Sequence, residues 1–109
     1  MKLDLHSFPN PADIREATEL QKQLREKVVL EGDVSPVHLL AALDASHPTV
    51  FSKVQGASVA AAVLWDKDES KVLETATASV DEETLFPYVP GFLSFRESPS
   101  YIAALANLS

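Results

Sequence analysis

The stretch from Ser58 to Val80 constrains the fold more than any other part of the chain. Ser58 to Trp65 is apolar throughout, Asp66-Lys67-Asp68-Glu69-Ser70 is a polar break, and Lys71 to Val80 then sets Val72, Leu73, Thr75, Thr77 and Val80 among polar and small residues. Two such runs around a turn-forming segment predict a β-hairpin. The length of the first run and its bounding turn residues predict a strand buried on both faces, although its alanines would also tolerate helix. Val37 to Ala45 is a further mostly apolar run. Read as a strand pairing with the hairpin, it completes a three-stranded meander.

A helix is expected on either side. Asn10-Pro11 combines a capping side chain with a first helical residue that needs no N–H. Ile14, Ala17, Leu20, Leu24 and Val28 then recur at helical spacing, with Arg15, Glu19, Lys22 and Glu26 opposite them. This predicts an amphipathic helix over residues 11–29, ended by Glu31-Gly32-Asp33. Near the other end, Ser98-Pro99 repeats the cap-and-proline signal, followed by an apolar stripe of Tyr101, Ile102, Leu105 and Ala106. A three-stranded sheet with strands this apolar needs cover on both faces, so the pattern looks unfinished.

The 109 residues suffice for one core. No apolar run approaches the roughly 18 residues of a membrane span, and residues 1–9 do not read as a signal peptide. The chain has no cysteine, which excludes disulfides and thiolate metal sites and fits a cytoplasmic protein. A net charge of −7 argues against a general nucleic-acid binder, which needs Lys and Arg in excess. It does not exclude a nuclease, because catalytic carboxylates add negative charge that bound divalent metal offsets.

Three features carry candidate chemistry. Asp44 is the only acidic residue between Pro36 and Lys53, at the end of an apolar strand. There a carboxylate is costly to bury unless it is paired or metal-bound; alternatively it simply begins the following loop. Glu97 stands at the expected start of the last helix, where an acid is favourable for dipole reasons alone and Arg96 offers a partner. Two carboxylates meeting from distant segments are the minimum for a divalent-metal site that hydrolyses phosphodiesters. The third feature is Pro87-Tyr88-Val89-Pro90-Gly91. Its prolines stiffen the backbone and its glycine permits a turn. Tyr88 then projects either as a wedge beside an abnormal base or from a loop folded back through Phe86 and Phe92; a Pro-x-x-Pro ligand is a third reading. His6, His38 and His47 are weak signals, though His47 lies close to Asp44 in sequence.

The run from Phe86 to Glu97, Phe-Pro-Tyr-Val-Pro-Gly-Phe-Leu-Ser-Phe-Arg-Glu, closely resembles the signature of the endonuclease V family, a Pro-Tyr-Ile-Pro-Gly segment followed by Phe-Arg-Glu. Val89 replaces the isoleucine. Upstream, Leu40-Ala41-Ala42-Leu43-Asp44-Ala45-Ser46 resembles the family's first strand, Ala-Gly-Val-Asp-x-Ser, with Ala42 in place of glycine. The resemblance covers nearly the whole chain.

The resemblance implies an α/β fold (α+β by content) of the RNase H-like kind, cut to a three-stranded antiparallel meander with flanking N- and C-terminal helices, so that residues 1–109 form a single incomplete domain. It implies Mg²⁺- or Mn²⁺-dependent DNA repair cleavage at the second phosphodiester 3′ to deoxyinosine, or to inosine in RNA, with other damaged or mismatched bases as further substrates. Asp44 and Glu97 match the family's catalytic metal ligands, and Pro87, Tyr88, Val89, Pro90 and Gly91 match its nucleic-acid wedge. The family's Asp-Gly-x-Gly aspartate and its downstream histidine and basic residues have no counterpart here, so little activity is expected from this chain alone. A non-catalytic remnant that binds nucleic acid or protein through the Pro87–Pro90 loop is the alternative. In such a sheet the first strand also pairs with a fourth. Without it, Val37 to Asp44 is an apolar edge, and a homo-oligomer through that edge is expected.

Overall fold

A computed structural model describes residues 3, 9–46, 57–81 and 84–109. Helix α1 spans Ile14–Lys27. It is capped by Asp13 rather than Asn10: Asp13 is extended, and its carboxylate accepts the Glu16 N–H at 2.8 Å. An aspartate at this position satisfies one of the N–H groups a helix start leaves open. Pro11 is buried ahead of the helix. Arg25 and Lys27 complement the dipole of the last turn, and extended Val28 ends it earlier than expected. Only part of the predicted stripe is covered. Ala17 is fully buried and Leu20 half-buried, whereas Ile14, Leu24 and Val28 are exposed.

The meander is present. Strands β1 (Leu39–Ser46), β2 (Ala57–Asp66) and β3 (Lys71–Asp81) form one antiparallel sheet in the order β1-β2-β3. The register pairs Asp44 with Ala61, and Ala61 with Thr77. The polar break makes the hairpin turn: Asp66 Oδ1 accepts the N–H groups of Asp68 and Glu69 at 2.9 and 3.1 Å, and Ser70 takes a left-handed φ of 50°.

Helix α2 spans Leu93–Ala106 and lies on one face of this sheet. Ala60, Ala62, Ala104 and Leu108 form the core there, with Leu43, Ala45, Leu64, Ala76 and Ala78 packed around them. Alanines on both elements let the helix approach closely, and Ser100 donates to Ser58 across the contact at 2.9 Å, so both buried hydroxyls are satisfied. The expectation that β2 is buried on both faces is corrected. Ser58, Ala60 and Ala62 are fully buried, but Val59 on the other face is 44% exposed. The reason is that α1 packs on the segment around Phe86 and Phe95 and not on the sheet.

The start of α2 is also corrected. It begins at Leu93, five residues ahead of the Ser98 cap the sequence predicts, and Pro99 lies inside it. Proline offers no N–H to the Phe95 carbonyl one turn back; next to it, the Ser98 hydroxyl donates to the Ser94 carbonyl. Glu97 therefore stands beyond the first turn, and the dipole argument for it lapses.

Candidate functional site

The loop from Phe86 to Phe92 is built from the inside out. Phe86 and Phe95 are buried and pack with Phe92 as an aromatic trio, ring centroids 6.0–6.4 Å apart. Ala17 and Leu20 of α1 and Val89 close around them. Arg96, itself buried, donates to the Phe86 carbonyl at 3.0 Å. Val89-Pro90-Gly91-Phe92 forms a turn closed by the Phe92 N–H on the Val89 carbonyl at 3.0 Å, with Gly91 at φ 92°. Proline followed by a positive-φ glycine is the pattern of a type II turn. Tyr88 is left 73% exposed on top of this packed base. Two sequence readings thus hold together: the loop folds back through its phenylalanines, and Tyr88 projects. The Pro-x-x-Pro reading is disfavoured, because Val89 between the prolines belongs to the packed base.

Asp44 and Glu97 come from β1 and α2. Asp44 is exposed, and its Oδ1 accepts the N–H of Ala45 at 2.9 Å. Glu97 accepts a 2.6 Å hydrogen bond from the Tyr101 hydroxyl one helical turn on. That bond pushes the phenol up to about 12, with burial, the Glu97 charge and the Asp44 charge adding in the same direction. Both carboxylates therefore bear on one hydroxyl. They present hard oxygen donors of the kind Mg²⁺ or Mn²⁺ takes. Among the described residues no group of three or more His, Cys, Asp or Glu is placed to hold a metal.

Two residues of this region are not evident from the sequence. Tyr101 reads there as part of an apolar stripe, although its spacing of four from Glu97 on a helix is a usable signal. Gln21 donates to the Gly91 carbonyl at 2.7 Å from 70 positions away, and no local pattern announces such a bond. His38 is exposed and pairs with Asp68 at 2.6 Å beside the hairpin turn. His6 and His47 lie outside the described residues.

Comparison with known proteins bears on the whole assembly. The endonuclease V family model matches residues 22–109. Endonuclease V of Thermus thermophilus is 50% identical over 101 residues, which is 93% of this chain and 42% of that protein. Endonuclease V of Streptomyces avermitilis superposes with a TM-score of 0.74 at 35% identity, over 90% of this chain and 41% of that one. Ciona intestinalis endonuclease V, solved with a 24-mer DNA containing an inosine followed by a ribo-adenosine, gives 0.68 at 25% identity, over 84% and 38%. Two helices and a three-stranded antiparallel sheet, with these neighbours, are consistent with an α+β RNase H-like fold. No described helix is long and apolar enough to cross a membrane. The chain spans about 42% of the length of these curated relatives, and over that span it belongs to the endonuclease V family.

Proposed function

We propose that this chain supplies the lesion-reading loop and two metal-binding carboxylates of a DNA repair endonuclease that cleaves 3′ to deoxyinosine, with inosine in RNA and other damaged or mismatched bases as further substrates. The observation that carries this is the packed loop that projects Tyr88 at the head of α2, the same helix on which the Tyr101 hydroxyl holds Glu97. Tyr88 would press against the bases beside the lesion, its aromatic face stacking while the buried phenylalanines resist recoil. Asp44 and Glu97 would hold Mg²⁺ or Mn²⁺, which when bound supplies activation of the attacking water and stabilisation of the leaving oxygen. The Tyr101 hydroxyl fixes one oxygen of Glu97 and so directs the other.

Most such sites use three or more carboxylates, and among the described residues no group of three or more His, Cys, Asp or Glu is placed to hold a metal. Strong cleavage is therefore expected only when further donors join Asp44 and Glu97. A second reading, a non-catalytic remnant binding nucleic acid or protein through the Pro87–Pro90 loop, draws on the same observation. Calorimetric titration with Mn²⁺, alongside cleavage of a deoxyinosine duplex, tests the proposal. The expected outcome is weak Mn²⁺ binding that both Asp44→Asn and Glu97→Gln abolish, with little cleavage by the chain alone. Binding that survives both substitutions would remove the metal role from these residues. Efficient, Asp44-dependent cleavage would show that two carboxylates suffice.

A further inference from the structure

The backbone that carries Tyr88 has few soft joints. Pro87 and Pro90 have φ fixed by their rings. Phe86 and Val89 each precede a proline and are held to extended conformations, and both are packed into the base beneath the loop. Apart from Tyr88 itself, the remaining adjustable residue before Phe92 is Gly91, at φ 92°. A glycine there has a wide choice of conformations and does not hold one unaided. The Gly91–Phe92 peptide is held through its N–H by the turn bond from Phe92 to the Val89 carbonyl. The same peptide is held through its C=O by Gln21, whose Nε2 donates to the Gly91 oxygen at 2.7 Å, so two bonds on opposite edges fix this plane.

The geometry of α1 makes this bond reproducible. Gln21 follows Ala17 by four residues, so both project from the same side of the helix. Ala17 is fully buried against Phe86 and Phe95, and neighbouring Leu20 packs on the same cluster. The helix thus cannot roll without lifting Gln21 off the loop. Leu24, Pro9 and Phe95 line the shallow depression beside Gln21, and the bond to the Gly91 carbonyl lies at an exposed position.

We propose that Gln21 is a positioning residue for lesion reading: through the Gly91 carbonyl it fixes the direction in which Tyr88 leaves the surface. The inference rests on the proposed role of Tyr88. Gln21 does not touch the nucleic acid in this account; it acts through the loop.

Gln21→Leu removes the donor and keeps the bulk. Gln21→Glu keeps the shape and a similar helix propensity but sets an acceptor against a carbonyl. The full chain and both variants are compared in thermal melting, in amide hydrogen exchange at Tyr88, Val89, Gly91 and Phe92, and in the ratio of affinities for a deoxyinosine duplex and the same duplex undamaged. The expected result is near-wild-type melting, exchange at Gly91 and Phe92 faster by roughly fivefold, the scale of one net hydrogen bond, and a comparable fall in the affinity ratio with binding to undamaged duplex unchanged. Unaltered exchange, or faster exchange with the ratio intact, overturns the role of Gln21. If Tyr88→Ala lowers the ratio and neither Gln21 variant does, the inference alone fails. If wild-type protein shows no preference for deoxyinosine, the proposed function fails first and Gln21 loses its role with it.

Discussion

Gly91 sits at φ 92° with open space where a Cβ would be. Replacing it with alanine meets no clash, so the cost is conformational, roughly 1–2 kcal/mol for a left-handed L-residue. Gly91→Ala is expected to lower the unfolding free energy by that amount, measured in urea denaturation, and to open the Val89–Phe92 turn, read by exchange of the Phe92 amide. Tyr101 makes a second prediction at this scale. Its phenol lies at about 12 against an ordinary 10.0, chiefly because it donates to Glu97. A raised pKa means the folded state keeps the proton longer, so the associated stability is complete below about 10 and is lost as pH climbs toward about 12. Melting temperature should fall more steeply across that window in wild-type protein than in Tyr101→Phe. Equal slopes would mean that the phenol titrates at its unfolded value. Glu97 itself is legible because it ends an unusual run of sequence. Its partner Tyr101 is hidden, because a tyrosine in an apolar stripe looks the same whether or not its hydroxyl is used.

Element boundaries follow from local chemistry the sequence only partly reveals. The hairpin is legible because apolar alternation and the Asp66–Ser70 turn agree. Neither helix starts where Asn10-Pro11 and Ser98-Pro99 predict. Three residues on from the first, Asp13 is an equally good cap, and the choice between them is made by packing: Pro11 and Ala17 are both buried. At the second, tertiary anchoring of Phe92 and Phe95 starts the helix early enough that Pro99 falls inside it. Asp13→Ala is expected to destabilise α1 by about 1 kcal/mol, the usual worth of an N-cap, with a matching loss in urea denaturation. Phe86→Ala is expected to cost about 3–5 kcal/mol, since it empties a site shared by α1, the loop and α2. A much smaller loss would mean that the aromatic base is not a packed unit.

At the scale of the molecule, α2 covers one face of the sheet, and no other described helix packs on the opposite face. Leu40 and Val59 are exposed, with Trp65, the pairing partner of Leu40, only half-buried. Among the described residues β1 is an edge strand, and edges of this apolar kind recruit further chains. We propose that copies of the chain associate through this edge and face. Light scattering at micromolar concentration is expected to give a dimer or larger species that Leu40→Lys returns to monomer; a wild-type monomer would contradict it. The sequence shows that strands this apolar need covering, but not which face α2 takes, because that depends on where α1 docks. The central claim, that the stiff Tyr88 loop reads a lesion beside the Asp44–Glu97 pair, is tested most directly by fluorescence titration of the chain with a deoxyinosine duplex and its undamaged counterpart, repeated with Tyr88→Ala. The account predicts preference for the deoxyinosine duplex in the wild type and loss of that preference in the variant; equal affinity for both duplexes, or a preference untouched by Tyr88→Ala, would contradict it.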